Sequence, residues 1–333
     1  MTLNRLLCAL CATLIALSAR AEVPEVRIAR QFSMGYLQLN MMEHEKLIQK
    51  HAALLGIPEV KVTGYKFNGP TAMNDALLSD SLDIVTGSPM ALYFIWGRTR
   101  GTPQEVRGIS SMVSMTLQIL SRDPAIRTVA DLDKCGKIAV AAVKISAPAL
   151  LIQAAAAKAF GLKDYARFDT LTVPMTPPDA MVSLLSGTGE IGCTYAVQPY
   201  MAQMLEKPGI HTVLDAHQVW GPASTFTVAY TSKRFHDRDP RLYQAVYNAM
   251  AEATAMIAAD LGKASRYWIE DGESKLSEDF VRSVAGGPDV TWTMTPRNTL
   301  AVAKFMNDVG TLKVQPDSWK DYFFPEAYGL DGS

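Results

Sequence analysis

The sequence predicts an α/β protein of two similar lobes, each a doubly wound parallel sheet with helices on both faces, joined by a two-strand hinge. Three observations predict it. Strand and helix patterns alternate as β-α-β-α-β-α, and then do so again. One stretch is nearly repeated: "GPTAMNDALLSDSLDIVTGSP" (Gly69–Pro89) and "PPDAMVSLLSGTGEIGCTYAVQP" (Pro177–Pro199) share Ala-Met, Leu-Leu-Ser, an acid-Ile pair and a closing Pro. Between and after the two copies lie strand patterns with no intervening helix, at Val106–Asp123 and Ser224–Phe235.

In the first lobe, Val26–Arg30 is a short apolar strand. Met42–Gly56 has apolar residues at helical spacing and a terminal Gly cap, so one helix is expected there. Glu59–Tyr65 alternates as a strand. Pro70–Leu78 is a helix, Leu82–Gly87 a strand and Pro89–Arg98 a helix. The second lobe runs Lys137–Val143 (strand), Ala147–Gly161 (helix with its own terminal Gly), Thr170–Met175 (strand), Pro178–Ser186 (helix), Glu190–Ala196 (strand) and a helix from Pro199. Val106–Asp123 and Ser224–Phe235 then read as two crossings between the lobes. The segment Arg241–Leu261 carries a 3.6-residue apolar stripe and is expected to return onto the first lobe. The expected lobes are residues 22–115 plus 226–333, and 116–225, with a cleft between them.

Residues 1–21 differ from the rest. One cation in Met1–Arg5, an apolar run Leu6–Ser18 and "ARA" at Ala19–Ala21 form a secretory signal, with cleavage expected after Ala21. Removal loses Arg5 and Arg20 and no acid, so the mature chain is expected to be more acidic than the formal −1 of the whole. That balance shows no electrostatic footprint for nucleic acid, and no later stretch is long and apolar enough to cross a bilayer. Cys8 and Cys11 fall in the signal. Cys135 and Cys193 remain in an oxidising compartment that permits a disulfide. Adjacent parallel strands rarely offer the geometry, so two buried thiols are the expected state.

The loops at the carboxyl ends of the strands are small and polar: Asn68-Gly69-Pro70-Thr71, Gly87-Ser88-Pro89, Lys144-Ile145-Ser146-Ala147-Pro148, Thr176-Pro177-Pro178-Asp179 and Val197-Gln198-Pro199. Ligands sit at that end of open α/β sheets. The first helical amides lack partners and carry partial positive charge, which suits a small anion. Each loop singly also reads as an ordinary N-cap; their matching places in two lobes point to a binding cleft. Phe32, Tyr36, Tyr195 and Phe226 are available either to stack on a ligand or to fill the core, Tyr195 the more readily as core. Lys144 either pairs with a ligand anion or is solvated. His211 and His217 read as surface residues.

No GxSxG, HExxH or P-loop occurs. Gly187–Gly192 matches GxGxxG but follows a helix and enters a strand, the reverse of a dinucleotide fingerprint. His44 and His51 lie seven apart on one expected helix, without the Cys or carboxylates of a metal site. No catalytic residue, cofactor or metal is expected.

The run "AMNDALLS…LDI…G", then "SRDP…ADL…KIAV…VKIS", "LTVPMTPPDAMVSLLSG", "PGIHTVL" and "DVG…SWKDYFFPE" resembles the nitrate/sulfonate/taurine-type substrate-binding proteins of ABC importers, in the thiamine-pyrimidine-synthase-like superfamily. The similarity runs in order along nearly all of the mature chain. It implies a type II periplasmic binding protein fold and a monomer that delivers a small organic anion or zwitterion to an ABC permease with its ATPase. The ligand would be sulfonate- or taurine-like, or an aromatic carboxylate. It implies ligand contacts at Gln31 and Tyr36, Gly69 and Thr71, Gly87 and Ser88, Ser114 and Met115, Ser146, Thr176 and Asp179, Gln198, and Thr225 and Phe226; Lys144 joins them as a candidate on its strand-end position alone. Pro70 has no N–H to offer, and Asp179 would repel a pure anion unless it serves only as a cap. A receptor for a membrane sensor kinase, and pyrimidine-precursor binding or synthesis, are the alternatives this resemblance leaves.

Overall fold

The computed structural model describes residues 23–272 and 274–333. The expected signal, with Cys8 and Cys11, lies outside the described residues. Two sheets organise the chain. The first contains β1 (Glu25–Arg30), β2 (Lys61–Lys66), β3 (Ile84–Gly87), β4 (Val106–Ser114), β10 (Thr225–Ser232) and β11 (Thr291–Trp292), in the order β11-β4-β10-β3-β1-β2. The second contains β5 (Gln118–Ser121), β6 (Lys137–Val140), β7 (Thr172–Pro174), β8 (Ile191–Ala196) and β9 (His211–Asp215), in the order β7-β6-β8-β5-β9.

The orders match position by position. β2-β1-β3 in one sheet corresponds to β7-β6-β8 in the other, and both trios pair in parallel. Beside each trio lies a strand that has crossed from the other lobe: β10 beside β3, and β5 beside β8. Both run antiparallel to their neighbours. The sheets are therefore mixed rather than wholly parallel as the alternating pattern implies. A strand entering from the opposite lobe has no crossover helix to turn it parallel.

Proline sets the starts of several helices. Pro70, Pro89, Pro177 and Pro240 occupy the first position of helices Pro70–Leu78, Pro89–Thr99, Pro177–Ser186 and Pro240–Ala259, where the missing N–H costs nothing. In the last, the Asp239 side chain also accepts from the Arg241 and Leu242 amides. That helix buries Leu242, Ala245, Val246, Ala249, Met250, Ala253 and Ile257 along one stripe. It packs in a common core with Leu47, Ile48 and Ala52 of the first lobe. A second apolar cluster runs through both sheets, from Ala29, Tyr93 and Trp96 to Ile138 and Leu150. Each Leu, Ile, Val or Met among them contributes about 1.5–3 kcal/mol on removal from water.

Two local expectations are corrected. The single helix over Met42–Gly56 is two, Leu37–His44 and Leu47–Leu54, because Lys46 between them adopts a left-handed backbone (φ 51°). His44 and His51 consequently sit on different helices. Each meets a carboxylate of the C-terminal region: His44 Nε2 lies 2.7 Å from Asp271, and His51 Nε2 2.8 Å from Glu252. Cys135 and Cys193 form a disulfide rather than two thiols, with Cα atoms 5.3 Å apart. Cys135 does not lie on a strand. It ends the 3-10 turn Val129–Cys135, and the chain there crosses against β8 so closely that a Cβ on Gly192 would stand 2.5 Å from the Cys135 carbonyl.

Candidate functional site

The chain leaves the first sheet at Ser114, crosses through Met115–Leu117 and enters the second at Gln118. It returns at Thr225. Beside these crossings the loops of both sheets converge on a front chamber of about 560 Å³, including its solvent-open mouth. The first lobe contributes Gln31, Ser33, Tyr36, Asn68, Pro70 and Ser88. The second contributes Ala141, Ser146, Ala147, Pro148, Tyr195 and Val197, and Leu117, Phe226 and Thr227 close the hinge side. No Asp, Glu, Lys or Arg lines it.

The donors are specific. Helices Pro89–Thr99 and Ala147–Phe160 begin at the chamber wall, one from each lobe. Ser88 Oγ accepts from the Ala91 amide at 3.4 Å, an N-cap bond. Ser146 is 2% exposed, and its hydroxyl donates to the Ala142 carbonyl at 2.5 Å, which leaves the oxygen lone pairs to accept. The Gln31 amide and Tyr36 hydroxyl make no hydrogen bond among the described residues. Burial drives the Tyr36 hydroxyl's pKa well above the ordinary phenol value, so it stays a neutral donor. Tyr195 is buried, as its core reading implies, yet it also edges the chamber; its hydroxyl donates to the Met175 carbonyl at 2.8 Å.

The lobes touch across this space. Met34 N–H donates to the Gln198 carbonyl at 2.9 Å, and Ser33 Oγ donates to the same oxygen at 3.3 Å. A Cβ on Gly69 would stand 3.3 Å from the Ala141 carbonyl of the other lobe. Outside lies a broad vestibule of about 1070 Å³, open to solvent, where charge does occur: Arg30, Lys66, Asp271 and Lys275 line it with Trp268 and Tyr200. Behind Phe226 lies a smaller rear space of about 20 Å³, bounded by both crossings and by Trp220, His217 and Arg297.

Of the residues singled out in the sequence, Gln31, Phe32, Tyr36, Ser88, Ser146, Tyr195 and Phe226 line the front chamber. Gly69 lies between two lining residues. Gly87 sits behind Gln31, a Cβ there being 3.6 Å from the Gln31 amide nitrogen. Met115, Thr225 and Phe226 line the rear space. Ser114 is buried on β4, its hydroxyl without a partner among the described residues. Thr71, Lys144 and Asp179 are exposed. Thr176 donates to the Asp179 carboxylate at 2.5 Å and accepts from its amide, so this pair caps its own helix. The Gln198 side chain accepts from Ala202 N–H at 3.3 Å while its carbonyl clasps the other lobe. His217, expected at the surface, has a side chain only 15% exposed and its Nε2 buried, because helix Ala216–Trp220 tucks it beneath the return crossing. Asn68, Leu117, Ala141, Val197 and Thr227 complete the front wall. Asn68 and Val197 were legible as parts of strand-end loops; the others are apolar or strand residues with no signal of their own.

Two mixed α/β lobes, paired crossings and a chamber between strand-end loops define the fold of the periplasmic binding proteins. The profile of the NMT1-like family matches residues 19–267, and the chain belongs to that family. Solved structures share the fold. The alkanesulfonate-binding protein SsuA from Xanthomonas axonopodis pv. citri, bound to MOPS, is 18% identical with a TM-score of 0.67, over 89% of this chain and 96% of that one. The periplasmic aliphatic sulphonate binding protein SsuA from Escherichia coli is 19% identical with a TM-score of 0.66, over 93% and 100%. The periplasmic nitrate-binding protein NrtA from Synechocystis PCC 6803 is 15% identical with a TM-score of 0.70, over 90% and 84%. No curated protein sequence matches the chain.

Proposed function

We propose that this protein is exported to the periplasm, captures a small organic anion or zwitterion in the front chamber, and delivers it to an ABC permease as a monomer. In this reading residues 22–115 with 226–333 form one lobe, residues 116–225 the other, and Met115–Leu117 with the return at Thr225 form the hinge. The observation that carries it is the chamber itself: donors from both lobes, Gln31 and Tyr36 on one side and the helix beginning at Ala147 on the other, face one space that the lobes close together. The likeness in fold to sulfonate- and nitrate-binding proteins supports the solute class.

The uncharged lining sets the recognition chemistry. Micromolar binding requires about 8 kcal/mol. Without a lysine or arginine in the wall, that comes from unpaired helix amides, the Gln31 and Tyr36 donors, and contact with Phe226. An exposed helix end contributes only about 0.3–1 kcal/mol, so an organic body against Phe226 is favoured over a bare inorganic ion. A thermal-shift and calorimetric screen of taurine, alkanesulfonates, aromatic carboxylates, pyrimidines and nitrate tests the reading. One class is expected to raise the melting temperature, and Gln31→Ala with Ser146→Ala to abolish the shift. No shift by any small solute would overturn solute capture.

A further inference from the structure

The front chamber and the vestibule adjoin, and Gln31, Phe32, Ser33 and Tyr36 line both. Once open solvent is discounted, the front chamber has room of about 60 Å³ and the vestibule about 390 Å³. A single water needs about 10–15 Å³ on this measure, and a benzene ring about 150 Å³. The closed chamber therefore takes a compact head of a few heavy atoms, and anything longer must extend into the vestibule. Both lobes wall that outer space too, with Lys66 and Trp268 from the first and Pro178, Tyr200 and Gln203 from the second.

The chemistry of the vestibule is set at the carboxyl ends of β1 and β2. These strands pair in parallel, and their register runs from Glu25 beside Lys61 to Arg30 beside Lys66. The first of these pairs is of opposite charge and closes an ion pair at 2.9 Å. The last is of like charge, and both of its residues line the vestibule. Neighbouring strands lie about 4.7–4.9 Å apart, so two cations side by side repel unless an anion lies between them. Neither has a carboxylate within hydrogen-bonding distance among the described residues. Arg30 Nη2 is 3.7 Å from Glu43 and 3.9 Å from Asp271, although its side chain is only 18% exposed. Charges so far withdrawn from water are normally paired. The Lys66 ammonium meets the Phe32 ring, 5.2 Å from its centre. Asp271 is the one acid among the described residues lining the vestibule, and its two oxygens are taken by Asn40 and His44.

We propose that the captured solute is a dianion, with one acidic group in the front chamber and a second, a carboxylate or sulfonate, held between Arg30 and Lys66 in the vestibule. This rests on solute capture in the front chamber and narrows it. The outer group accepts from the guanidinium and the ammonium together. The chain joining the two groups passes Phe32, which lines both spaces and carries Lys66 over its ring. A zwitterion would instead set its ammonium against two cations, at a Coulombic cost.

Straight-chain dicarboxylates from succinate to suberate are the probes, measured by calorimetry on the chain beginning at residue 22. Each is compared with the monoacid of the same length and with the ω-amino acid of the same length. One dicarboxylate is expected to bind at least about tenfold more tightly than its monoacid, and added salt to shrink that advantage. Lys66→Gln is expected to remove most of the advantage and leave the monoacid unchanged. Arg30→Gln should do the same, and Arg30→Lys less. Lys66→Glu should bring the ω-amino acid above the dicarboxylate. Lys66 is exposed, so its variants report on binding rather than folding; a circular-dichroism melt checks the Arg30 variants. Equal affinity for dicarboxylate and monoacid overturns the outer site, as does an advantage that survives both Lys66→Gln and Arg30→Gln. If the monoacid is then still lost with Gln31→Ala and Ser146→Ala, capture in the front chamber stands and the dianion alone falls. No binding by any member of the series also overturns the dianion, and the wider solute screen then decides capture by itself.

Discussion

The backbone N–H of Met34 donates to the carbonyl oxygen of Gln198 at 2.9 Å, and this one bond ties the loop after β1 to the loop after β8 across the cleft. Gly69 approaches Ala141 on another side of the same chamber. The structure therefore shows the lobes drawn together, and the chamber's size depends on how closely they meet.

Gly69→Leu is expected to hold the lobes apart. A Cβ already stands 3.3 Å from the Ala141 carbonyl, and three further carbons have no room. The cost falls on closure rather than folding. Solute affinity should drop by about tenfold or more, equivalent to roughly 1.4 kcal/mol. The melting temperature without solute should move little. Small-angle scattering should show a larger radius in the presence of solute than for the wild type; an unchanged radius with unchanged affinity would refute the clasp.

Reduction of Cys135–Cys193 is expected to destabilise the second lobe. The bridge links residues 58 apart, for which loop entropy gives at most about 4 kcal/mol. Cys135→Ser with Cys193→Ser should lower the melting temperature, and added reductant should lower that of the wild type but not of the double variant. The oxidised chain beginning at residue 22 should show no free thiol on titration.

Gly108→Val is expected to unseat the C-terminal segment. Gly108 lies on β4, and a Cβ there would stand 2.5 Å from the Phe323 ring, which is fully buried. Overpacking of this kind costs about 1–3 kcal/mol. Phe323→Leu in the same chain should recover part of the loss in denaturant titration, and failure of that rescue would place the damage elsewhere.

Acid should erase the contribution of Glu252. The hydrogen bond from Lys50, at 2.5 Å, and that with His51 hold its carboxyl below the ordinary value of 4.5. A folded-state pKa below the unfolded one adds stability above the unfolded value, and that stability is lost as pH falls through the folded value. Glu252→Gln should therefore be less stable than wild type at neutral pH, by a few tenths to about 1 kcal/mol for so accessible a pair. The two should converge as pH drops below about 4. A gap that persists at low pH would show that packing, not charge, is at stake.

The repeated lobes, and the helices beginning at Pro70, Pro89 and Ala147, were legible because proline starts and apolar periodicity are local signals. The pairing of β10 with β3 was not. It joins Val228 to Gly87 across the whole second lobe, and no local pattern records a neighbour so distant in the chain. The break at Lys46 lacks the glycine or proline that would mark it; tertiary contacts of the two half-helices with Glu252 and Asp271 override the periodicity. Ser146 was visible as a strand-end polar residue, and Gln31 only through the family resemblance. The rear space was not, because the helix Ala216–Trp220, Met115 on the outward crossing and Arg297 come from separate segments whose only common signal is the space they surround.

The exchange of strands between lobes has a consequence for the order in which the molecule is completed during synthesis. The second sheet draws all five strands from one unbroken stretch, Gln118–Asp215, and can be finished while the remainder of the chain is still being made. The first sheet cannot: until β10 arrives, β3 and β4 have no strand between them to pair with. The earlier-translated lobe must therefore wait as two disconnected fragments for a later piece to zip it shut, and its exposed strand edges are the part of a nascent chain most in need of a chaperone.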